Sequence, residues 1–289
     1  MPAGYDTVWF LSDYGLEDEF AGVVKAVIRG IAPRVTVIDL THQVPAHDVR
    51  AGSLVLARAI QYLPGGVVLA VVDPGVGTSR RAVAVEVHGD PDDDAEGGDG
   101  RAQGEGGGAR AVLVGPDNGL LAAAVAMAGG ARRAVSLTRS EYHLPAPGAT
   151  FAGRDVFAPV TAHLCAGVDL AELGEPVDPL SLLPGLLPLS RWEDGTVVGE
   201  VLWVDRFGNA QLNVGPDEVE AFGDRIVLRR GDQARVVSRV ATFDQLAGSQ
   251  LGLVVDSYGL LAVAAYQRSA AEELRLRAGD AVTLEAPSE

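Results

Sequence analysis

Aspartates stand at the ends of successive apolar segments in the first half of the chain. These are Asp13, Asp39, Asp73 and Asp117. The carboxyl ends of parallel strands are where open α/β sheets bind ligands. An aspartate there can accept from a ribose hydroxyl, ligate Mg²⁺ or act as a base, and it can equally cap the next helix. As a set the carboxylates favour a site, and composition alone would allow a metal-dependent phosphohydrolase.

The segment Asp73-Pro74-Gly75-Val76-Gly77-Thr78-Ser79-Arg80 sets an acid and an arginine at the two ends of a glycine-containing turn. Such a pair can orient a water molecule, and the guanidinium favours the hydroxide form of that water. The alternative is a glycine-rich turn with an ordinary surface ion pair. The segment is not a Walker loop, because no Gly-Lys-Ser/Thr follows the glycines.

A second polar turn, Asp205-Arg206-Phe207-Gly208-Asn209, separates two predicted strands in the second half. It offers a carboxylate for an ammonium group, an aromatic face for a base and an amide that orients either. Its structural alternative is a hairpin with a G1-type bulge. The histidines lack the spacing of metal ligands, so no zinc or other metal site is predicted.

Composition narrows the class of protein. The chain has 289 residues, with 23 Lys and Arg against 39 Asp and Glu, so its formal net charge of -16 disfavours nucleic acid as a partner. The longest apolar run, Val67–Val72, is far shorter than the roughly 20 residues that cross a bilayer. No secretory leader opens the chain, and the single cysteine, Cys165, permits no internal disulfide. These features predict a cytoplasmic protein that binds no membrane.

Strands and helices alternate along residues 1–177, which predicts an α/β domain with a mostly parallel sheet and flanking helices. Residues 196–289 are rich in short strands and predict a β-barrel or sandwich domain. A proline-punctuated linker, 178–195, joins the two, and a crevice between domains is the default ligand site. Residues 89–108, acidic and glycine-rich, predict a mobile surface insertion.

Seven short segments, taken together, resemble those of the S-adenosyl-L-methionine (SAM) hydroxide adenosyltransferases, a hydrolase family related to the fluorinase and chlorinase enzymes. The matching pieces are Phe10-Leu11-Ser12-Asp13-Tyr14-Gly15, Asp39-Leu40-Thr41-His42, the Asp73–Arg80 segment, Pro116-Asp117-Asn118-Gly119-Leu120, Thr150-Phe151-Ala152-Gly153-Arg154-Asp155, Asp205-Arg206-Phe207-Gly208-Asn209 and Ser269-Ala270-Ala271-Glu272. They follow the family's order and extend over nearly the whole chain.

The resemblance implies a cofactor-free homotrimer that hydrolyses SAM to adenosine and L-methionine by attack of water at ribose C5′. In the family an Asp–Arg–His triad activates the water, and Asp73 and Arg80 match its first two members. The remaining matches concern substrate binding. They assign Asp13 to the ribose, Asp205 to the methionine ammonium, Phe207 and Asn209 to adenine or its neighbourhood, and Ser257 to the methionine carboxylate.

The chain departs from the family pattern at two positions. Ala152 stands where the triad has histidine, and Tyr258 follows Ser257 where the halogenases have arginine. The first departure opens the alternative of a catalytically weakened SAM- or adenosine-binding protein. A halogenase is disfavoured because a carboxylate at Asp73 repels an incoming halide.

Overall fold

The computed structural model describes residues 4–87, 111–185, 187–248 and 250–287. The chain forms two compact units, Met1–Leu186 and Leu187–Glu289, which divide inside the segment 178–195. The predicted insertion, 89–108, lies outside the described residues.

A seven-stranded sheet forms the centre of the first unit, in the order β2-β1-β3-β5-β4-β6-β7. Its strands are β1 (Thr7–Ser12), β2 (Thr36–Thr41), β3 (Gly66–Val71), β4 (Ala82–Val87), β5 (Ala111–Pro116), β6 (Ala131–Ser136) and β7 (Glu175–Val177). Strands β2, β1, β3 and β5 run parallel, whereas β4 is antiparallel to both β5 and β6, and β7 is antiparallel to β6. The predicted α/β class is confirmed, with the parallel part confined to one half of the sheet.

Helices cover both faces of this sheet. They are α1 (Phe20–Ile31), α2 (Val49–Ile60), α3 (Ala122–Met127) and α4 (Ala158–Cys165). Helices α1 and α4 pack in one apolar cluster with Phe10, and α2 and α3 pack in another with Leu11. Strand β3 is buried along its whole length, which explains why it is apolar at consecutive positions rather than at alternate ones.

Helix ends follow local chemistry. The side chain of Asp48 accepts from Ala51 N at 2.8 Å and so caps α2. A single π-helical turn, Gly153–Phe157, leads into α4. Short 3₁₀ segments occur at Ser140–Tyr142, Leu170–Leu173, Pro179–Ser181, Asp217–Phe222 and Phe243–Leu246. Cys165, at the end of α4, packs against the core, and burial raises the pKa of its thiol to about 12.

The second unit is a closed barrel. Its strands are β8 (Arg191–Glu193), β9 (Thr196–Val204), β10 (Ala210–Leu212), β11 (Arg225–Arg230), β12 (Gln233–Arg239), β13 (Leu251–Val255), β14 (Leu261–Ala265) and β15 (Ala281–Glu285). Their order is β10-β14-β13-β12-β11-β15-β9-β8, and β10 also pairs with β9. This last pairing closes seven strands into a barrel rather than a sandwich and leaves β8 as a short strand on β9.

Helix α5 (Ala270–Leu274) is capped by the Ser269 hydroxyl, which accepts from Glu272 N at 3.0 Å. None of the described helices is long and apolar enough to span a membrane.

Candidate active site

Asp73 and Arg80 meet across the turn that follows β3. Val76 N donates to Asp73 O at 3.2 Å, the Thr78 hydroxyl donates to Gly75 O at 2.6 Å, and Gly77 adopts a left-handed φ of 78°. The chain therefore reverses at a glycine, and Arg80 returns to the strand end. Arg80 Nε donates to Asp73 Oδ1 at 2.8 Å while Nη2 donates to Oδ2. The side chains are only 15% and 6% exposed, so this is a shielded, two-pronged ion pair and not an ordinary surface one.

Neighbouring elements hold this pair in place. Asn118, in the turn after β5, donates from Nδ2 to Val72 O at 2.9 Å, one residue before Asp73. The Arg80 guanidinium carbon lies 5.3 Å from the centroid of the Phe157 ring, a cation–π contact. Both contacts limit the freedom of the pair before any ligand arrives.

The Asp73 side chain faces a cavity of about 640 Å³ within the first unit. Asp13, Asp18 and Asp73 bring carboxylates to its lining, and Arg154 brings a guanidinium. Arg154 is already paired, since its Nε donates to Asp155 Oδ1 at 2.6 Å. The cavity therefore favours a cationic ligand over an anionic one.

Asp13 lies beside Asp73 because β1 and β3 are parallel neighbours in which Ser12 is opposite Val71. Oδ2 of Asp13 accepts from His47 N at 2.9 Å, and His47 adopts a left-handed φ of 68° to present that N–H. Within the described part of the chain, no donor reaches Oδ1. Asp13 thus has a fixed orientation and a free acceptor, as binding of a hydroxyl requires.

Aromatic rings form an apolar wall of the cavity, although none of them is among the predicted site residues. Tyr14 contacts Phe20 and Phe151 with ring centroids 5.8 and 5.6 Å apart, and Phe20 lies 5.3 Å from Phe151. Burial, together with the charges of Asp13 and Asp73, raises the pKa of Tyr14, and Arg80 only partly opposes them. Tyr14 was visible in the sequence as the neighbour of Asp13, but its ring packing depends on segments far along the chain.

Ala152 lines the same cavity as Asp73 and is half-buried. It directly precedes the π-helical turn and packs against the core cluster of α1 and α4. The position that carries histidine in the family pattern therefore faces the cavity here with a methyl group.

Asp39 and Asp117 do not join the cavity, which corrects the expectation that the strand-end aspartates form one site. Asp39 lies within β2 and pairs with Lys25 Nζ at 2.6 Å and with His42 Nε2 at 3.0 Å. Burial alone would raise the pKa of Asp39, but its hydrogen bonds to Lys25 and His42 and their charges outweigh burial and lower the pKa.

Asp117 has a structural role. It accepts from Arg81 Nε at 2.8 Å and from Leu183 N at 2.8 Å, so it ties β4 and β5 to the segment that follows the Pro179–Ser181 turn. In the part of the chain that the structure describes, the four strand-end aspartates do not form the metal-binding set that the phosphohydrolase alternative needs. Among the described residues, no group of three or more His, Cys, Asp or Glu side chains is arranged to hold a metal ion.

The remaining predicted residues belong to the second unit. Asp205 accepts from Phe207 N at 2.9 Å and from both the backbone and side-chain nitrogens of Asn209 at 2.8 Å. Gly208 adopts a φ of 82°, so the bulged hairpin turn that was the structural alternative is present. The Phe207 side chain is 77% exposed, and Ser257 lies exposed in the turn between β13 and β14. Their assignment to substrate binding remains a prediction.

Comparison with known proteins places the chain in a family. Residues 8–91 and 107–174 match the SAM hydroxide adenosyltransferase N-terminal domain, and residues 199–283 match the C-terminal domain of the same family. The chain belongs to the SAM hydroxide adenosyltransferase family. The N-terminal match omits residues 92–106, so part of the predicted insertion lies outside the matched residues.

Relatives of this chain include an (R)-S-adenosyl-L-methionine hydrolase from Salinispora tropica. The two are 43% identical over 276 residues, which cover 95% of this chain and 96% of the relative. A fluorinase from an Actinoplanes species is 29% identical over 305 residues, covering 98% of this chain and 99% of its own. The crystal structure of an uncharacterized conserved protein from Thermotoga maritima superposes with a TM-score of 0.81 at 33% identity, covering 96% of this chain and 99% of that one.

Proposed function

We propose that this family member hydrolyses SAM to adenosine and L-methionine. The observation that carries the proposal is the shielded Asp73–Arg80 pair at the wall of an acidic cavity. The family and the hydrolase relatives support the same reaction.

The electrostatics of the cavity suit the substrate. SAM carries a positive sulfonium, which the carboxylates of Asp13, Asp18 and Asp73 attract. The same carboxylates repel halide ions, so hydrolysis is favoured over halogenation despite the fluorinase relative. Asp13, with its free Oδ1, is proposed to bind the ribose hydroxyls.

The chemical step is an in-line displacement at C5′. The water oxygen forms a bond to C5′ as the C5′–S bond breaks, and the bonding pair stays on the sulfur of the departing methionine. The water proton passes to Asp73 and then to solvent, while Arg80 holds the carboxylate in one orientation. Shielding of the pair from bulk water leaves the attacking oxygen less solvated and therefore more reactive.

Further assignments rest on the family resemblance. We propose that Asp205 binds the methionine ammonium, that Phe207 and Asn209 contact adenine, and that Ser257 donates to the methionine carboxylate. We also propose a cytoplasmic homotrimer that needs no metal or organic cofactor.

The second candidate function is a SAM- or adenosine-binding protein with little turnover, and Ala152 is the observation that favours it. Loss of one acid–base group typically removes about 10²–10⁴-fold in rate, so binding would survive where catalysis is weak.

Incubation of the purified chain with SAM, followed by chromatography of adenosine and methionine, tests the proposal. We expect equimolar products, formed at the same rate with and without a chelator and with and without chloride. Binding of SAM by calorimetry without product would instead support the binding protein. A chloride-dependent chlorinated nucleoside would support the halogenase.

A further inference from the structure

Tyr14 is held rigidly at the cavity that contains Asp73. It lines this cavity together with Asp73 and Ala152. Its ring makes edge-to-face contacts with Phe10, Phe20 and Phe151, with centroids 6.5, 5.8 and 5.6 Å away. Rings on several sides leave the tyrosine little rotational freedom, so its hydroxyl has a defined position.

That hydroxyl rests against Gly153, the neighbour of Ala152. A Cβ atom added to Gly153 would lie 1.9 Å from the Tyr14 hydroxyl oxygen and 3.0 Å from Cζ. The hydroxyl therefore occupies the space that a side chain at residue 153 would need. Ala152 contributes only a methyl group to the cavity lining, so Tyr14 supplies a polar atom next to a position that has none.

The hydroxyl is available to a ligand. Among the described residues it has no hydrogen-bond partner, since the one hydrogen bond of Tyr14 besides ring contacts runs from its backbone N to the Ser12 hydroxyl at 3.3 Å. Burial and the nearby charges of Asp13 and Asp73 favour the neutral phenol, which can both donate and accept.

We propose that the Tyr14 hydroxyl binds the attacking water and orients it jointly with Asp73. The water donates one hydrogen to Asp73 and the other to the Tyr14 oxygen, which leaves an oxygen lone pair directed at C5′. Tyr14 keeps its own proton throughout; the water proton at Asp73 is released as the O–C5′ bond forms and the C5′–S bond breaks. This inference rests on the proposed hydrolase function.

Tyr14→Phe tests it, because phenylalanine keeps the ring contacts and removes only the hydroxyl. We expect kcat for adenosine formation to fall roughly 10- to 100-fold, with KM for SAM changed by less than about threefold. Tyr142→Phe is the matched control. Tyr142 is also half-buried, its ring lies 5.0 Å from that of His163, and it does not line the cavity. Removal of the Tyr142 hydroxyl is expected to leave kcat for adenosine formation unchanged.

Gly153→Ala provides an independent test that retains the hydroxyl. The new methyl group must displace the Tyr14 hydroxyl, because the surrounding rings restrict other movements. We expect kcat to fall as for Tyr14→Phe, and the double variant to be no slower than the slower single one. Circular dichroism and thermal melts establish that each variant is folded.

Two outcomes would overturn the inference. If Tyr14→Phe forms adenosine at the rate of the unsubstituted chain, the hydrolase function stands and the role of Tyr14 is wrong. If the unsubstituted chain forms no adenosine, the proposed function and this inference fail together.

Discussion

Arg80 contacts Asp73 along one whole edge of its guanidinium, with Nε 2.8 Å from Oδ1 and Nη2 bonded to Oδ2. A fork of this kind fixes the plane of the carboxylate as well as its position. Because Asn118 bonds the carbonyl one residue before Asp73, the carboxylate is also restrained from the backbone side. The geometry suits a group that must direct a water molecule along a single line of attack.

Asp73→Asn removes the negative charge and the proton acceptor while it keeps the size of the side chain. We expect kcat/KM for SAM hydrolysis to fall by about 10²–10⁴-fold in steady-state assays. Asp232→Asn, at an exposed position in the turn between β11 and β12, is the control and is expected to behave as the parent. Full activity in Asp73→Asn would contradict the proposed role.

Ala152→His restores the residue type of the family pattern at a half-buried position on the cavity. We expect kcat to rise by roughly 10-fold or more, since a correctly placed imidazole adds acid–base catalysis. Affinity for SAM, measured by calorimetry, is expected to change far less. Ala149→His, at an exposed position outside the cavity lining, controls for a nonspecific effect of histidine. An equal rise in both variants would refute the explanation.

Asp117→Asn is expected to affect stability and not catalysis. The Asp117 side chain is 5% exposed and holds both Arg81 and the Leu183 amide, so neutralising it weakens charge-assisted bonds. We expect the free energy of unfolding in urea to fall by about 1–3 kcal/mol, with KM for SAM unchanged. Glu193→Gln, in the exposed Arg191–Glu193 pair, should cost less than about 1 kcal/mol. Equal costs would show that burial of Asp117 is unimportant.

His163 should make the folded chain less stable as the pH falls below neutral. Burial lowers the pKa of His163 below its ordinary 6.5, so the unfolded chain binds a proton more readily than the folded one. Its contribution to stability is complete above pH 6.5 and is lost as the pH falls below that value. His163→Phe keeps the ring contact with Tyr142 and should flatten the change in unfolding free energy between about pH 6.5 and 5. His143, whose pKa is also lowered by burial, supplies a remaining slope. If the unfolding free energy of His163→Phe changed with pH as steeply as that of the parent, His163 would not be a source of the pH dependence.

Local sequence determined the strands and helices, and it determined the ion pair between Asp73 and Arg80 at the centre of the site. Alternating apolar segments and turn residues predicted the strands and helices, and the short glycine-containing turn brought Arg80 back to Asp73. The resemblance to the family rested on segments extending over nearly the whole chain, and the domain matches confirm it. Parallel β1 and β3 place Asp13 beside Asp73, as the strand-end argument expected.

Tertiary structure decided which strand-end aspartates share a cavity. Position at the end of a strand does not determine which neighbours a side chain meets, so Asp39 pairs with Lys25 of α1, and Asp117 pairs with Arg81. The β9–β10 pairing decided in favour of a barrel, because a strand pattern permits either a closed or an open arrangement. The contact between the Tyr14 hydroxyl and Gly153 joins distant parts of the chain, and only the packing of α1 and the π-helical turn against the sheet brings them together.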